Sequence, residues 1–257
     1  MSKGHSELPE DRQTLSQLRR ISRRGFAGYA AGLGAMVLGI RWIGTQSESA
    51  GISWPLRFMH ELNEKIWHNA VGTSALAPEF PPSQAGEPRA NGMYGLLDEN
   101  DSAWELRVEV DDWASDPLTM DDIKSLPRVE QITEFKCIEG WSEVVAWAGC
   151  RFSDLARIVK PPETLLPPDH YPYVSLSTPN GGYYVGLDIS SAMHPQSLLA
   201  YEMNGKPLTA NHGAPLRLVI PVKYGIKNIK RIGTIRFTRQ KPADYWAERG
   251  YDWYAGL

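Results

Sequence analysis

Cysteine is scarce in this chain of 257 residues, with only Cys137 and Cys150. Two thiols exclude a disulfide framework and leave one bridge as the most that an oxidising compartment would permit. No Cys-x-x-Cys and no Cys-x-x-Cys-His occurs, which removes support for zinc ribbons, thioredoxin chemistry and covalent haem attachment. A Gly-x-Gly-x-x-Gly after a strand is also missing, and with it the dinucleotide fingerprint. Neither a Gly-x-Ser-x-Gly elbow nor a His-Glu-x-x-His pair is present, which weakens two common hydrolase readings. Positive charge is in short supply as well. Residues 51–257 carry 20 Lys+Arg against 26 Asp+Glu, a balance that argues against nucleic acid as partner.

What is present describes an ordinary globular chain, 42% hydrophobic and 22% charged, long enough for one large core or two small ones. Aromatics are plentiful, with nine Trp. Many fall late, in Tyr245-Trp246 and Tyr251-Asp252-Trp253-Tyr254, where they are expected to cover a pocket or pack a tail down.

The N-terminal 50 residues read as an export leader. Arg23-Arg24 precede an Ala- and Gly-rich apolar run from Ala27 to Ile40. A basic region before such a run marks a secretory signal, and paired arginines point to the twin-arginine route. The run falls short of the roughly 20 residues a spanning helix needs, with Arg41-Trp42-Ile43 extending it to a weak anchor at most. Because that route carries folded proteins, the leader itself predicts a cofactor inserted before export, and a periplasmic location.

Beyond the leader, residues 51–90 are expected to form a helix and an extended linker. Leu56, Met59, Leu62, Ile66 and Ala70 recur at helical spacing. The stretch after them, with Pro78, Pro81, Pro82 and Pro88, has no periodicity. Residues 91–257 read as one α+β domain without a βαβ rhythm. Trp104–Val110 alternates like a half-buried strand, and Thr119 opens a short capped helix through Leu126. Ile132–Ile138 is a strand that delivers Cys137, and Phe152–Val159 is a second short helix. A hairpin turns at Pro179-Asn180-Gly181-Gly182, residues 190–201 are expected to be mostly helical, and strands close the domain at Leu216–Val222 and Ile232–Thr238.

Cys137 sits among polar and aromatic residues at the end of its strand, where a thiolate suits a transition metal better than magnesium or calcium. No second ligand follows at short spacing, so most ligands of a metal there must come from an organic group. A molybdenum held by a pterin dithiolene leaves room for one protein thiolate. Its phosphate asks for cations, which Arg217 offers as a planar fork and Lys230 as a point charge, with Lys223, Lys227 and Arg231 nearby. Alone, Lys223, Lys227 and Lys230 also read as a solvated strand edge. Cys150 reads as a buried structural thiol.

Four stretches carry a resemblance: Cys137-Ile138-Glu139-Gly140-Trp141-Ser142, Ala192-Met193-His194-Pro195, His212-Gly213-Ala214-Pro215-Leu216-Arg217, and Lys223-Tyr224-Gly225-Ile226-Lys227-Asn228-Ile229-Lys230. From about residue 90 to 240 the chain resembles the sulfite oxidase family of molybdopterin enzymes. It is most similar to the small exported bacterial members, among them a periplasmic methionine sulfoxide reductase. The resemblance implies a sulfite-oxidase-type fold of mixed sheets and short helices, holding Mo-molybdopterin. It makes Cys137 the molybdenum ligand and catalytic centre and sets Asn91, Tyr94 and Gly95 against the pterin. Thr178 becomes a cofactor contact, His212 and Arg217 bind pterin and phosphate, and Asn228, Ile229 and Lys230 close the phosphate site. The implied activity is oxygen-atom transfer, reducing a sulfoxide- or N-oxide-type substrate. His212, where the exported reductases carry Asn, keeps sulfite oxidation as an alternative. Either direction needs an electron partner, a membrane b-type or soluble c-type cytochrome. Two other readings stay open: a cofactor-free exported binding domain, and a cysteine hydrolase built on Cys137 and His212.

Overall fold

The computed structural model describes residues 9–71, 75–87, 89–94, 96 and 104–256. The chain divides into two compact units, Met1–Leu56 and Arg57–Leu257.

In the first unit, helix α1 (Pro9–Gly44) is followed by the two-residue strands β1 (Glu48–Ser49) and β2 (Ile52–Ser53). The apolar part of α1 is longer than the sequence alone suggests. Ser22–Gly44, 23 residues with outward-facing side chains, is long and apolar enough to cross a membrane. The helix runs unbroken through its glycines and through Arg41-Trp42-Ile43, which join the apolar run instead of ending it. Trp42 packs edge-to-face on Trp54, at 6.2 Å between ring centroids.

Helix α2 (Trp54–Val71) leads into the second unit, where two five-stranded sheets form. One contains β3 (Arg107–Val110), β4 (Trp113–Ala114), β7 (Tyr173–Ser177), β8 (Tyr184–Asp188) and β12 (Thr234–Thr238), in the order β4-β3-β12-β7-β8. Its β3–β12 pair is parallel and the rest antiparallel. The other contains β5 (Arg128–Lys136), β6 (Ser142–Arg151), β9 (Leu198–Met203), β10 (Lys206–Pro207) and β11 (Arg217–Val219). There β9 is central, pairing β6 along one edge and both β10 and β11 along the other. Short helices α3 (Met120–Ser125), α4 (Phe152–Ile158) and α5 (Ile189–Ala192) fill the connections. Thr119 caps α3 through the expected box, its hydroxyl accepting from the Asp122 N–H while the Asp122 carboxylate accepts from the Thr119 N–H.

Period-two alternation sorts the side chains of β9 from Leu198 to Tyr201: Leu199 and Tyr201 join the large core between the sheets, whereas Leu198 and Ala200 join a smaller cluster with Val145, Trp147 and Val219. Past the register shift opposite Ala148 and Gly149, Met203 falls on the side of that smaller cluster. Each fully buried Leu here stabilises the fold by about 1.5–3 kcal/mol. Strand β9 also corrects the expectation of a helix over 190–201, which is helical only through Ala192. Leu, Ala, Glu and Met are good helix formers, but ladders on both sides outweigh that preference. Gly149 is obligatory in β6: a Cβ there would lie 2.0 Å from the Leu199 carbonyl oxygen, at the bulge between Ala148 and Gly149.

The reading of Lys223 and Lys227 as a solvated edge is overturned, because both are buried. Lys227 donates to Asp244 Oδ2 at 2.5 Å and to the Gly186 carbonyl at 2.9 Å. Lys223 donates to the Tyr254 carbonyl at 2.9 Å, lies over that residue's ring and stands 3.7 Å from Asp188. These lysines fasten the C-terminal segment to the domain instead of facing a ligand. Cys150 is fully buried, and its thiol is pushed up to about 12 by burial. Both cysteines are free, so the single bridge that composition permits does not form.

Candidate functional site

Strands β5 and β6 form one hairpin, with Lys136 paired to Ser142, and Cys137 opens its loop. The loop closes tightly. Cys137 N–H donates to the Trp141 carbonyl at 2.9 Å and Gly140 N–H to the Cys137 carbonyl at 3.1 Å. Gly140 supplies the φ of +89° that this turn requires. The thiol is thus held at a fixed point, partly exposed, at the edge of a cavity of about 350 Å³.

Seven of the ten residues singled out from the sequence meet at that cavity: Asn91, Tyr94, Cys137, His212, Arg217, Asn228 and Lys230. Asn91 Nδ2 lies 3.9 Å from Cys137 Sγ and donates to Glu139 Oε2 at 3.1 Å. The same Glu139 oxygen accepts from Trp141 Nε1 at 3.0 Å, so Glu139 both orients the loop and lines the mouth. Lys230 Nζ donates to the carbonyls of Asn91 (2.5 Å), Gly92 (3.0 Å) and Asn211 (2.7 Å), tying the 91–92 segment to the Asn211 turn at the opening. Burial, with the nearby Arg217 charge, brings its pKa down to about 8. His212 is held below its ordinary range by burial first, then by Arg217 and Lys230, so its imidazole is neutral at pH 7.

Arg217 is the deepest cation. Its guanidinium donates to the carbonyls of His212 at 3.2 Å and Asn228 at 3.3 Å and lies 4.7 Å from the Trp147 ring centroid. Burial lowers its pKa to about 10. The side chain of Asn228 is spent within the fold, accepting from Ile220 N–H and donating to the Tyr224 carbonyl.

Two predicted residues stand elsewhere and a third is not described. Ile229 belongs to the core. Thr178 uses its hydroxyl in the β7–β8 turn, donating to Asn180 Oδ1 and accepting from Tyr183 N–H. Gly95 lies outside the described residues. His194, from the second matching stretch, accepts from Gln196 N–H and bonds the Ala75 carbonyl, away from the cavity.

Other lining residues escaped the sequence reading. Glu143, Val145 and Trp147 alternate along β6 onto the cavity side, and Phe135 faces them from β5. Reading 142–151 as a strand would have revealed them. Arg89 adds a cation 5.3 Å from the Trp141 ring centroid, and its N–H donates to Glu143 Oε2. Trp246 and Tyr251 line the cavity as the late aromatics suggested.

Two buried donors of this wall, Arg217 Nε and Trp147 Nε1, have no protein acceptor. Buried donors left unpaired are costly, so the wall suits an acceptor-rich, anionic guest. Among the described residues no cluster of three or more His, Cys, Asp or Glu side chains could hold a metal. A metal at Cys137 would therefore draw its other ligands from an organic group. A pterin dithiolene with a phosphate fits both conditions.

Residues 94–246 match the family described as "Oxidoreductase molybdopterin binding domain". The chain belongs to this family. As a member of the molybdopterin oxidoreductases it is a molybdenum-dependent enzyme with a Mo-molybdopterin cofactor. It is 32% identical over 240 residues to an Azospira oryzae protein named "Putative protein-methionine-sulfoxide reductase subunit YedZ1", covering 91% of this chain and 88% of that one. It is 38% identical over 176 residues to the Campylobacter jejuni protein-methionine-sulfoxide reductase catalytic subunit MsrP, covering 63% of this chain and 59% of that one. The chain thus spans about three-fifths of the length of that MsrP. Sulfane dehydrogenase SoxCD from Paracoccus pantotrophus shares 16% identity at a TM-score of 0.47, over 66% of this chain and 46% of that one.

Proposed function

We propose that this molybdopterin oxidoreductase is exported by the twin-arginine route and reduces a sulfoxide, with a methionine sulfoxide side chain as the favoured class. The observation that carries the reading is the placement of one loop thiol, Cys137, at the mouth of a cavity whose depth is cationic and whose rim is aromatic. The names of the similar proteins support the substrate class. Arg23-Arg24 ahead of an apolar helix supports export.

Within this reading Cys137 would be the thiolate ligand, and Arg217, with Trp147 Nε1 and neutral His212, would hold the phosphate and pterin end. When bound, the cofactor supplies two-electron redox and oxygen-atom transfer chemistry. The chain supplies position, exclusion and charge. Asn91 and Glu139 fix the loop that presents the thiol. Trp141, Tyr94, Trp246 and Tyr251 offer apolar surface for the carbon groups flanking a sulfoxide and displace water from them. Lys230 holds the 91–92 segment over the opening. Electrons would come from a cytochrome, a membrane b-type or soluble c-type protein.

The decisive experiment compares natively exported protein with Cys137→Ala for molybdenum and pterin content and for reduction of peptide methionine sulfoxide by a reduced dye. About one molybdenum per chain is expected, with turnover in the parent and a loss of at least about 100-fold in the variant. That loss corresponds to removal of an interaction essential to the reaction. Sulfite-dependent reduction of a cytochrome without sulfoxide turnover would reverse the redox direction. Absence of molybdenum from cells able to make the cofactor would leave an exported binding domain.

A further inference from the structure

Helix α2 is amphipathic, but within the second unit its polar side faces the domain and its apolar side faces out. Arg57 donates through Nη1 to the Tyr251 carbonyl at 2.9 Å and through Nη2 to the Ala247 carbonyl at 2.7 Å. About two turns further on, Glu64 accepts from Lys241 Nζ at 2.9 Å. On the other side Phe58, Met59, Leu62 and Ile66 are 54%, 48%, 37% and 52% exposed. At 100° per residue these four fall within about 100° of arc, a continuous apolar stripe. A helix docked on a soluble domain ordinarily shows the reverse arrangement. A contiguous exposed apolar face of this kind marks an interaction surface.

The sequence just before α2 says what covers it. Only residues 45–53 separate the end of α1, long and apolar enough to cross a membrane, from the first residue of α2. Nine residues reach at most about 30 Å when fully extended. Trp42 and Trp54, both exposed, bracket that connection, and tryptophan is the residue enriched at the membrane–water boundary. We infer that α2 lies in the plane of the bilayer surface, with Phe58, Met59, Leu62 and Ile66 in the acyl boundary and Arg57 and Glu64 gripping the catalytic domain. The occupant of the stripe is lipid. Helices with this partition, a bulky apolar face and a charged opposite face, settle at that depth. The consequence is a fixed attachment: the 247–251 segment that Arg57 holds contributes Tyr251 to the cavity wall.

The test uses the full chain expressed and exported in its native membrane. A photoreactive benzoylphenylalanine is placed at Leu62, and in a control at Glu61, which lies off the stripe. Irradiation of Leu62→benzoylphenylalanine should give lipid adducts, and Glu61→benzoylphenylalanine roughly tenfold fewer. With the probe moved to Met59, the double change Leu62→Glu and Ile66→Glu should cut the lipid adduct by a similar factor. Dye-driven sulfoxide turnover should stay unchanged, which shows that the protein is folded. A protein adduct at Leu62 in place of lipid would overturn the proposal in favour of a protein partner. No adduct at either position, or equal lipid yield at both, would overturn it outright. The adduct outcomes do not depend on the substrate reading; only the turnover control does.

Discussion

Lys230 shows how much a single side chain can decide at this site. Its ammonium uses all three N–H groups on the carbonyls of Asn91, Gly92 and Asn211. With the pKa down to about 8, the amine is neutral above that pH and keeps only two donors. One carbonyl at the opening is then released, and the 91–92 segment that positions Asn91 beside Cys137 loosens. Sulfoxide reduction is therefore expected to fall as pH rises through about 8. The fall should move to higher pH in Lys230→Arg and disappear in a uniformly slower Lys230→Met. Stability should change in the opposite sense. The folded pKa lies below the ordinary 10.5, so between about 8 and 10.5 the unfolded chain binds the extra proton and stability from this group rises with pH. pH–rate profiles beside denaturation midpoints at the same pH values separate the two. A midpoint that falls along with the rate would refute the assignment.

At the scale of elements, the Lys227–Asp244 pair stitches the Gly225–Lys227 turn to the segment leading to Trp246. Both groups are buried, and Asp244 also accepts from the N–H groups of Gly186, Trp246 and Ala247. Removing one partner of a buried pair leaves the other charge uncompensated, so Asp244→Ala should cost about 3–5 kcal/mol by denaturant unfolding. Replacing both together, as Lys227→Met with Asp244→Leu, should cost clearly less than the two single changes summed. Sequence reasoning reached these lysines but could not see their burial, since a charge run in a strand-like stretch has the same composition whether solvated or paired. Elements with local signals were legible: the capping box at Thr119, the Pro-Asn-Gly-Gly turn and the period of α2. Strands β6 and β9 were not. Val144–Gly149 lacks alternation because β6 is covered on both faces toward its end, and Leu198–Met203 is composed of helix formers. What decides both is pairing with residues some 50 positions away, which no local window contains.

For the whole molecule, the site was more legible than the sheets that build it. Motifs scattered from Asn91 to Lys230 converge on one cavity because the β5–β6 hairpin, the Ala210–His212 turn and the Gly225–Lys227 turn meet there. Residue types can announce that chemistry, whereas the partition between cavity wall and packing, as for Thr178 and Ile229, needs the fold. Arg217 links site and stability. In the absence of a guest it is a buried cation bonded only to carbonyls, with one N–H unpaired, and burial brings its pKa down to about 10. Such a group destabilises the empty protein and is compensated only by an anion. Protein made in cells unable to synthesise the cofactor should therefore gain stability from Arg217→Met, or lose none. In cofactor-competent cells the same variant should be less stable than the parent, because ligand binding to the folded state adds stability only while affinity lasts. At about 2–4 °C per kcal/mol for a domain of this size, the contrast is readable as a fall in melting temperature confined to the cofactor-loaded preparation. Equal destabilisation of both preparations by Arg217→Met would show a purely structural arginine and remove the phosphate role assigned to it.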